Sequence, residues 1–279
     1  MESSSLPRPP SRPSQQPVVR HPIPVLPYPG AYKFGTWESV EDREEYRPGG
    51  FHPVLLGSRV GENDEYRIIH KLGYGGFATV WLARDSVADR YVALKIMKAE
   101  VSDVQVSKEL VNIEKLRAAP PEQSGRQYVA MPLVLPVLGP RVTAKRVLET
   151  FDGQAKRNMA RQAAEGLRFL HANGVGHGDF KPSNILLKLA DLDDWTEEEV
   201  MERLGEPETD LIETSSGEPL GPAAPPYVVL PLETADLDPR FLQDQIMIID
   251  FGESFDEKSP PEGLGTPIGY CSPELLFDD

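Results

Sequence analysis

The sequence predicts an α+β protein of two lobes: a β-rich first lobe with one main helix, then a mainly helical second lobe. Three patterns carry this. From Glu65, "EYRIIHKLGYGGFATVWLARD" alternates apolar and polar residues on both sides of a glycine cluster, and "RYVALKIMK" supplies a third strand, so an antiparallel sheet opens with a hairpin. "VSKELVNIEKLRAA" then places Val106, Leu110, Ile113 and Leu116 at helical spacing, and "YVAMPLVLPVLGP" offers one or two short strands ending at Gly139 and Pro140. Last, "QAKRNMARQAAEGLRFLHANG" carries Met159, Ala163, Leu167 and Leu170 on one stripe and stops at Asn173-Gly174.

The flanking stretches read differently. The prolines of residues 1–35 favour polyproline II and disorder, because such a segment cannot bury enough apolar area to offset its ordering entropy. Nine of them fall in residues 1–30, which also opposes an amphipathic transit helix. Residues 191–218 hold twelve acidic residues against one basic, marking a long insertion over about 189–240. Within it, Thr196 followed by Glu199 reads as a capping box for a short helix through Leu204. "QIMIIDFGES" is an apolar run ending in charge, a buried strand whose last residues emerge at a site.

The formal charge of −15 argues against a nucleic-acid binder, whose footprint is a basic face, and suits a basic protein partner. A single cysteine, Cys271, allows no intramolecular disulfide and no Cys-based zinc cage, so a reducing compartment is expected. With no run approaching 18 apolar residues, a membrane span is not expected.

The chemistry is spread along the chain in a definite order. Gly73-x-Gly75-x-x-Ala78-x-Val80 lies between two strands rather than between strand and helix, the placement of a hairpin that folds over ATP phosphates rather than of a dinucleotide turn. Lys95 follows Val80 by fifteen residues near the end of the third strand, where its ammonium can pair with phosphate oxygens. Glu109, at the edge of the next helix's buried face, is the preferred ion-pair partner, with Glu114 the competing choice. "HGDFKPSNILL" then supplies Asp179 as base or orienter of an attacking hydroxyl, Lys181 to neutralise γ-phosphate charge and Asn184 to hold magnesium. Phosphoryl transfer depends on positioning and charge neutralisation, and these residue types supply both. Asp250, ending its buried strand ahead of Phe251 and Gly252, can chelate the magnesium that bridges the phosphates, and Ser272-Pro273-Glu274 closes the series.

In this order the motifs make the chain resemble a eukaryotic-type Ser/Thr protein kinase from about residue 50 onward. "YRPGGFHPVLLGSRV", residues 46–60, is similar to the Tyr-x-x-Gly-Gly-Tyr-His-Pro-Val-x-x-Gly lead-in of the SR-protein kinases, which phosphorylate serines in Arg-Ser repeats of splicing factors. "KLGYGGFATVWLARD" is similar to that group's glycine loop, and the acidic spacer is like that of its divergent fungal members. The resemblance implies a bilobal kinase fold, with the lead-in at 36–64, the N-lobe at 65–139 and a partial C-lobe at 140–279. It implies ATP and Mg2+ as cofactors, with ATP held by Leu72, Gly73, Tyr74, Gly75, Gly76, Phe77, Ala78, Val80, Ala93, Lys95 and Glu109. Asp179 and Lys181 would be catalytic, and Asn184 and Asp250 the metal ligands. The implied protein is a monomer of cytoplasm or nucleus that phosphorylates basic, Arg-Ser-rich proteins in splicing regulation, without direct nucleic-acid or membrane contact.

The chain also departs from the kinase pattern. Gly178 stands where most kinases carry the arginine that binds a phosphorylated activation segment, Cys271 stands where arginine usually follows the tyrosine, and the segment from Leu116 to Leu138 is short for two strands. Ser254, Ser259 and Thr266 lie in the activation segment as candidate phosphosites without that arginine to read them. Only five residues follow Glu274, so the expectation is a truncated kinase with its ATP site present, its peptide site incomplete and an uncovered apolar face on its last helices. Two other readings stay open: a non-catalytic pseudokinase or nucleotide-binding scaffold, and a small-molecule phosphotransferase of the aminoglycoside or choline type, whose loop is also written His-Gly-Asp with asparagine five residues on. Lys181 favours the protein kinase.

Overall fold

The computed structural model of the protein describes residues 18–20, 32–33, 39–103, 107–131, 134–190, 192–235, 237–264 and 268–271. Val106, Thr266, Ser272, Pro273, Glu274 and most of the proline-rich stretch lie outside these. Inside that stretch, where disorder is expected, Val18–Arg20 forms strand β1. The alternation around the glycines becomes an antiparallel sheet of β2 (Arg59–Val60), β3 (Tyr66–Tyr74), β4 (Ala78–Asp85), β5 (Arg90–Met97) and β6 (Val134–Leu135), in that spatial order. The β4–β5 turn is set by Asp85, whose carboxylate accepts from Val87 N (3.0 Å) and Ala88 N (2.9 Å), and by Asp89 in the left-handed region (φ 50°). Helix α1 (Lys108–Arg117) is capped by the Ser107 hydroxyl and buries Leu110, Ile113 and Leu116, as the spacing predicts.

Beyond β7 (Leu138–Arg141) come α2 (Lys145–Thr150) and α3 (Gly153–Ala172), the latter capped by Asp152 and ended at Gly174 (φ +65°). Among the described residues the helices share this half with two small sheets. Strand β9 (Ile185–Leu189) lies between β7 and β12 (Leu242–Ile248), and β8 (Val175–Gly176) pairs with β13 (Phe255–Asp256). The largest core cluster joins Ile113 and Leu116 of α1 to Met159, Phe169 and Leu170 of α3, to Leu187 and Ile248, and to Phe251. Gly166 lets α3 lie close on β12, since a Cβ there would strike Ile248. This cluster is the common floor on which α1, the loop after β8 and the residues after β12 all rest.

The acidic insertion folds against the first lobe. Its capping box forms as read, with Thr196 and Glu199 exchanging hydrogen bonds at the start of α4 (Glu197–Leu204). Val200 and Leu204 of α4 pack with Ile69, Leu82 and Tyr91. Tyr91, Ala93 and Lys95 alternate onto one face of β5, so α4 covers the far end of the face that carries Lys95. After β10 (Glu208–Leu211), which pairs with β1 on one side, β11 (Tyr227–Val229) sends Val229 into the opposite face against Val54, Ile68 and Trp81. Between these two grips, Leu232 N donates to Lys71 O at 2.8 Å and covers the open edge of β3, the strand that leads into the glycines. The insertion thus straddles the sheet through its few apolar positions, while Asp193 accepts from Tyr91 N at 2.6 Å.

Two ion pairs lie inside this cover. Arg43 donates to Asp210 at 2.7 Å, and fully buried Lys71 pairs with Glu41, which also accepts from the Tyr46 hydroxyl. Burial holds the Lys71 ammonium below the usual lysine range, against the pull of Glu41. Removing one partner strands the other charge in a dry site, so Glu41→Ala is expected to cost about 3–5 kcal/mol of stability in denaturant unfolding. The double change Glu41→Leu with Lys71→Met is expected to recover most of it; a loss from Glu41→Ala below about 1 kcal/mol would show the pair to be solvated.

Candidate active site

Lys95 sits on β5 opposite Val80, so the glycine hairpin and the lysine are fixed by one strand pairing. Its ammonium pairs with the buried Glu109 in the first turn of α1 and stands 4.0 Å from Asp250 Oδ1. Glu114, the competing choice, is instead exposed and pairs with Arg117 of its own helix at 2.6 Å. Asp250 follows β12 in the left-handed region (φ 67°), with its side chain half exposed, while the next residue, Phe251, is wholly buried. That reversal puts the carboxylate out and the ring into the core.

The loop after β8 is built around Asp179. Asn184 Nδ2 donates to Asp179 O (2.9 Å) and Oδ2 (3.0 Å), and the Lys181 ammonium lies 2.6 Å from the same Oδ2. Asp179 Oδ1 is buried and accepts no hydrogen bond from the described residues. Asn184 also ties this loop to Asp250, because its carbonyl accepts from Ile249 N at 3.0 Å. His177 is the pivot underneath. Its Nε2 meets Ile249 O at 3.1 Å, Asp179 N donates to its Nδ1 at 3.3 Å, and its ring packs 5.0 Å from that of Phe251. One neutral tautomer satisfies both bonds, and burial holds the imidazole below the ordinary histidine range despite nearby Asp250 and Asp179.

Gly178 has φ +80°, and a Cβ there would drive into the carbonyl oxygen of Glu253, closer than side chains ever approach. The glycine is therefore needed by the backbone itself. Ser254, among the candidate phosphosites, is 1% exposed and accepts from Asn112 Nδ2 at 3.1 Å, so its hydroxyl is closed to a kinase in this conformation, whereas Ser259 is exposed.

The glycine hairpin is open beneath. Gly75 N donates to Ala78 O at 2.8 Å, Tyr74 and Phe77 stand exposed at the tip, and side chains built on Gly73, Gly75 or Gly76 would meet nothing within 4 Å. Leu72 and Val80 are half-buried, while Ala78 and Ala93 are buried in the sheet. Sequence reading missed an apolar layer that joins the sheet of the first lobe to the strands around Asp179 and Asp250. Leu135, paired with Ala93, packs with Leu186 and Ile249 on a buried layer of Ala130, Leu138 and Met247. The available signal was Leu186, half-buried between buried Ile185 and Leu187 in the strand that follows Asn184.

A curled antiparallel sheet with one helix, a lysine paired to that helix, and two aspartates beside the lower sheets are arranged as in a protein kinase fold. Residues 66–194 match the protein kinase domain family. A solved kinase domain superposes with a TM-score of 0.50 at 15% identity, covering 81% of this chain and 61% of that one, which shows the fold. Among curated relatives, the serine/threonine-protein kinase spk-1 of Caenorhabditis briggsae is 34% identical over 175 residues, 55% of this chain and 15% of that protein. Human SRSF protein kinase 3 is 32% identical over 174 residues, covering 55% and 30%, and SKY1 of Saccharomyces cerevisiae is 26% identical over 178, covering 55% and 24%. Residues 66–194 thus match a protein kinase domain, and the chain is similar to the serine/threonine-protein kinases of the SR-protein kinase group. It spans less than a third of the length of these relatives. Among the described residues, no helix is long and apolar enough to cross a membrane.

Proposed function

We propose that the chain is the nucleotide-binding and catalytic part of a Ser/Thr kinase that transfers the γ-phosphoryl group of ATP to serines in basic, Arg-Ser-rich proteins. The observation that carries this is the buried Asp179 Oδ1 beside Lys181, an acceptor that has no partner among the described residues. A substrate hydroxyl donates to that oxygen and is thereby oriented, while Lys181 stands by to balance charge on the transferring group. Lys95, held by Glu109, binds phosphate oxygens under the glycine hairpin, and the apolar layer of Leu135, Leu186 and Ile249 with Ala93 takes the base. The residues suit Mg2+, a hard cation that takes one or two protein oxygens plus phosphates: the Asp250 carboxylate is half exposed, and the side-chain bonds of Asn184 to the described residues use only Nδ2. Bound there, Mg2+ would neutralise phosphate charge as it develops.

The net charge of −15 favours a basic substrate and disfavours direct nucleic-acid binding, and the lone cysteine agrees with cytoplasm or nucleus. The rival reading, a scaffold that binds nucleotide without turnover, keeps the same cleft and the same residues and differs in that no phosphoryl group is transferred. Nucleotide binding is checked by thermal shift. ATP with Mg2+ is expected to raise the melting temperature of the wild type, by mass action, and to do so far less in Asp250→Ala. An equal shift in both proteins would remove Asp250 from the site.

A further inference from the structure

Glu109 meets Lys95 from the first turn of helix α1, and two further residues of that helix carry polar groups that tie it to the second lobe. Asn112, buried, donates to the buried Ser254 hydroxyl at 3.1 Å. One turn on, the Lys115 ammonium reaches Asp256 Oδ2 at 2.9 Å and the Gly174 carbonyl at 3.0 Å. Ser254 and Asp256 belong to the segment that follows Asp250, and β13 within it pairs with β8, the strand that leads into His177 and Asp179. Gly178 closes the same junction by resting against Glu253. Arg126 fastens the far end of α1, donating to Leu116 O and Ala119 O at 2.8 Å each.

The helix that carries Glu109, the loop that carries Asp179 and the segment that carries Asp250 are thus joined at one polar seam. We infer that Asn112 and Lys115 are positioning residues for the Lys95–Glu109 pair, holding α1 in place through Ser254 and Asp256. The bonds are short, and the Asn112–Ser254 one is shielded from water. Asp256 is itself fixed by the pairing of β13 with β8. The inference rests on reading Lys95 and Glu109 as the nucleotide-site pair.

The test compares the full chain with its Asn112→Ala/Lys115→Met variant, by hydrogen exchange of α1 without nucleotide and by titration with ATP and Mg2+. Loss of two such tethers is expected to speed exchange across residues 108–117 about tenfold, leave residues 153–172 unchanged, and weaken nucleotide binding about tenfold. Lys115→Arg alone should behave as wild type. In a Glu109→Gln background the same double change should weaken binding no further, because the pair through which it acts is already broken. Unchanged exchange in α1, or an equal loss of affinity in both backgrounds, would overturn the inference. A wild type that fails to bind nucleotide at all would sink the proposed function, while the exchange result would still decide whether the seam holds α1.

Discussion

Asp179→Asn is expected to lower the turnover number for peptide phosphorylation by about a thousandfold or more while leaving ATP affinity within a few-fold of wild type. The carboxylate has one oxygen committed to the Asn184 amide and the Lys181 ammonium and one buried oxygen without a partner among the described residues. An amide in its place cannot serve both. If its oxygen stays with Asn184 and Lys181, its NH2 faces the incoming hydroxyl and offers a donor where an acceptor is needed; if it flips, that NH2 meets two donors. The nucleotide contacts proposed for Lys95 and Asp250 would be untouched, so the loss should fall on kcat. A variant that keeps a tenth or more of wild-type turnover would show that the hydroxyl is oriented by another group.

Gly178→Ala should cost about 3 kcal/mol of stability, from roughly 1–2 kcal/mol for a left-handed backbone and a comparable overpacking term where the new methyl meets the Glu253 carbonyl. For a chain of this size that lowers the melting temperature by several degrees, and Gly178→Arg should be at least as damaging. The outcome separates two accounts of the missing arginine. If glycine only marked the absence of a phosphate-reading side chain, either substitution would be tolerated. The packing of Gly178 against Glu253 instead requires the loop and the segment after Asp250 to fit without any side chain between them. An unchanged melting temperature in Gly178→Ala would refute that packing.

The residues along the cleft were legible in the sequence because each is set by local order: a hairpin, a strand end, one face of a helix. Glu109 could be preferred over Glu114 from helical spacing alone, and the structure pairs it with Lys95. What could not be read depends on contacts between distant segments. The insertion read as acidic because twelve carboxylates dominate 191–218, yet its burial is decided by a minority of apolar residues. Val229 finds Val54 and Trp81, and Leu204 finds Leu82, across separations that no periodicity encodes. The need for glycine at 178 was hidden for the same reason. Sequence shows which side chain is missing there, and only the fold shows the Glu253 carbonyl that occupies its place.

The central claim is tested most directly by incubating the purified chain with γ-labelled ATP and Mg2+ in the presence of an Arg-Ser repeat peptide and, separately, an aminoglycoside. The account predicts label on peptide serine, none on the aminoglycoside, and loss of the peptide signal in Asp179→Asn. Label on the aminoglycoside, or nucleotide binding with no transfer to the peptide, would contradict it.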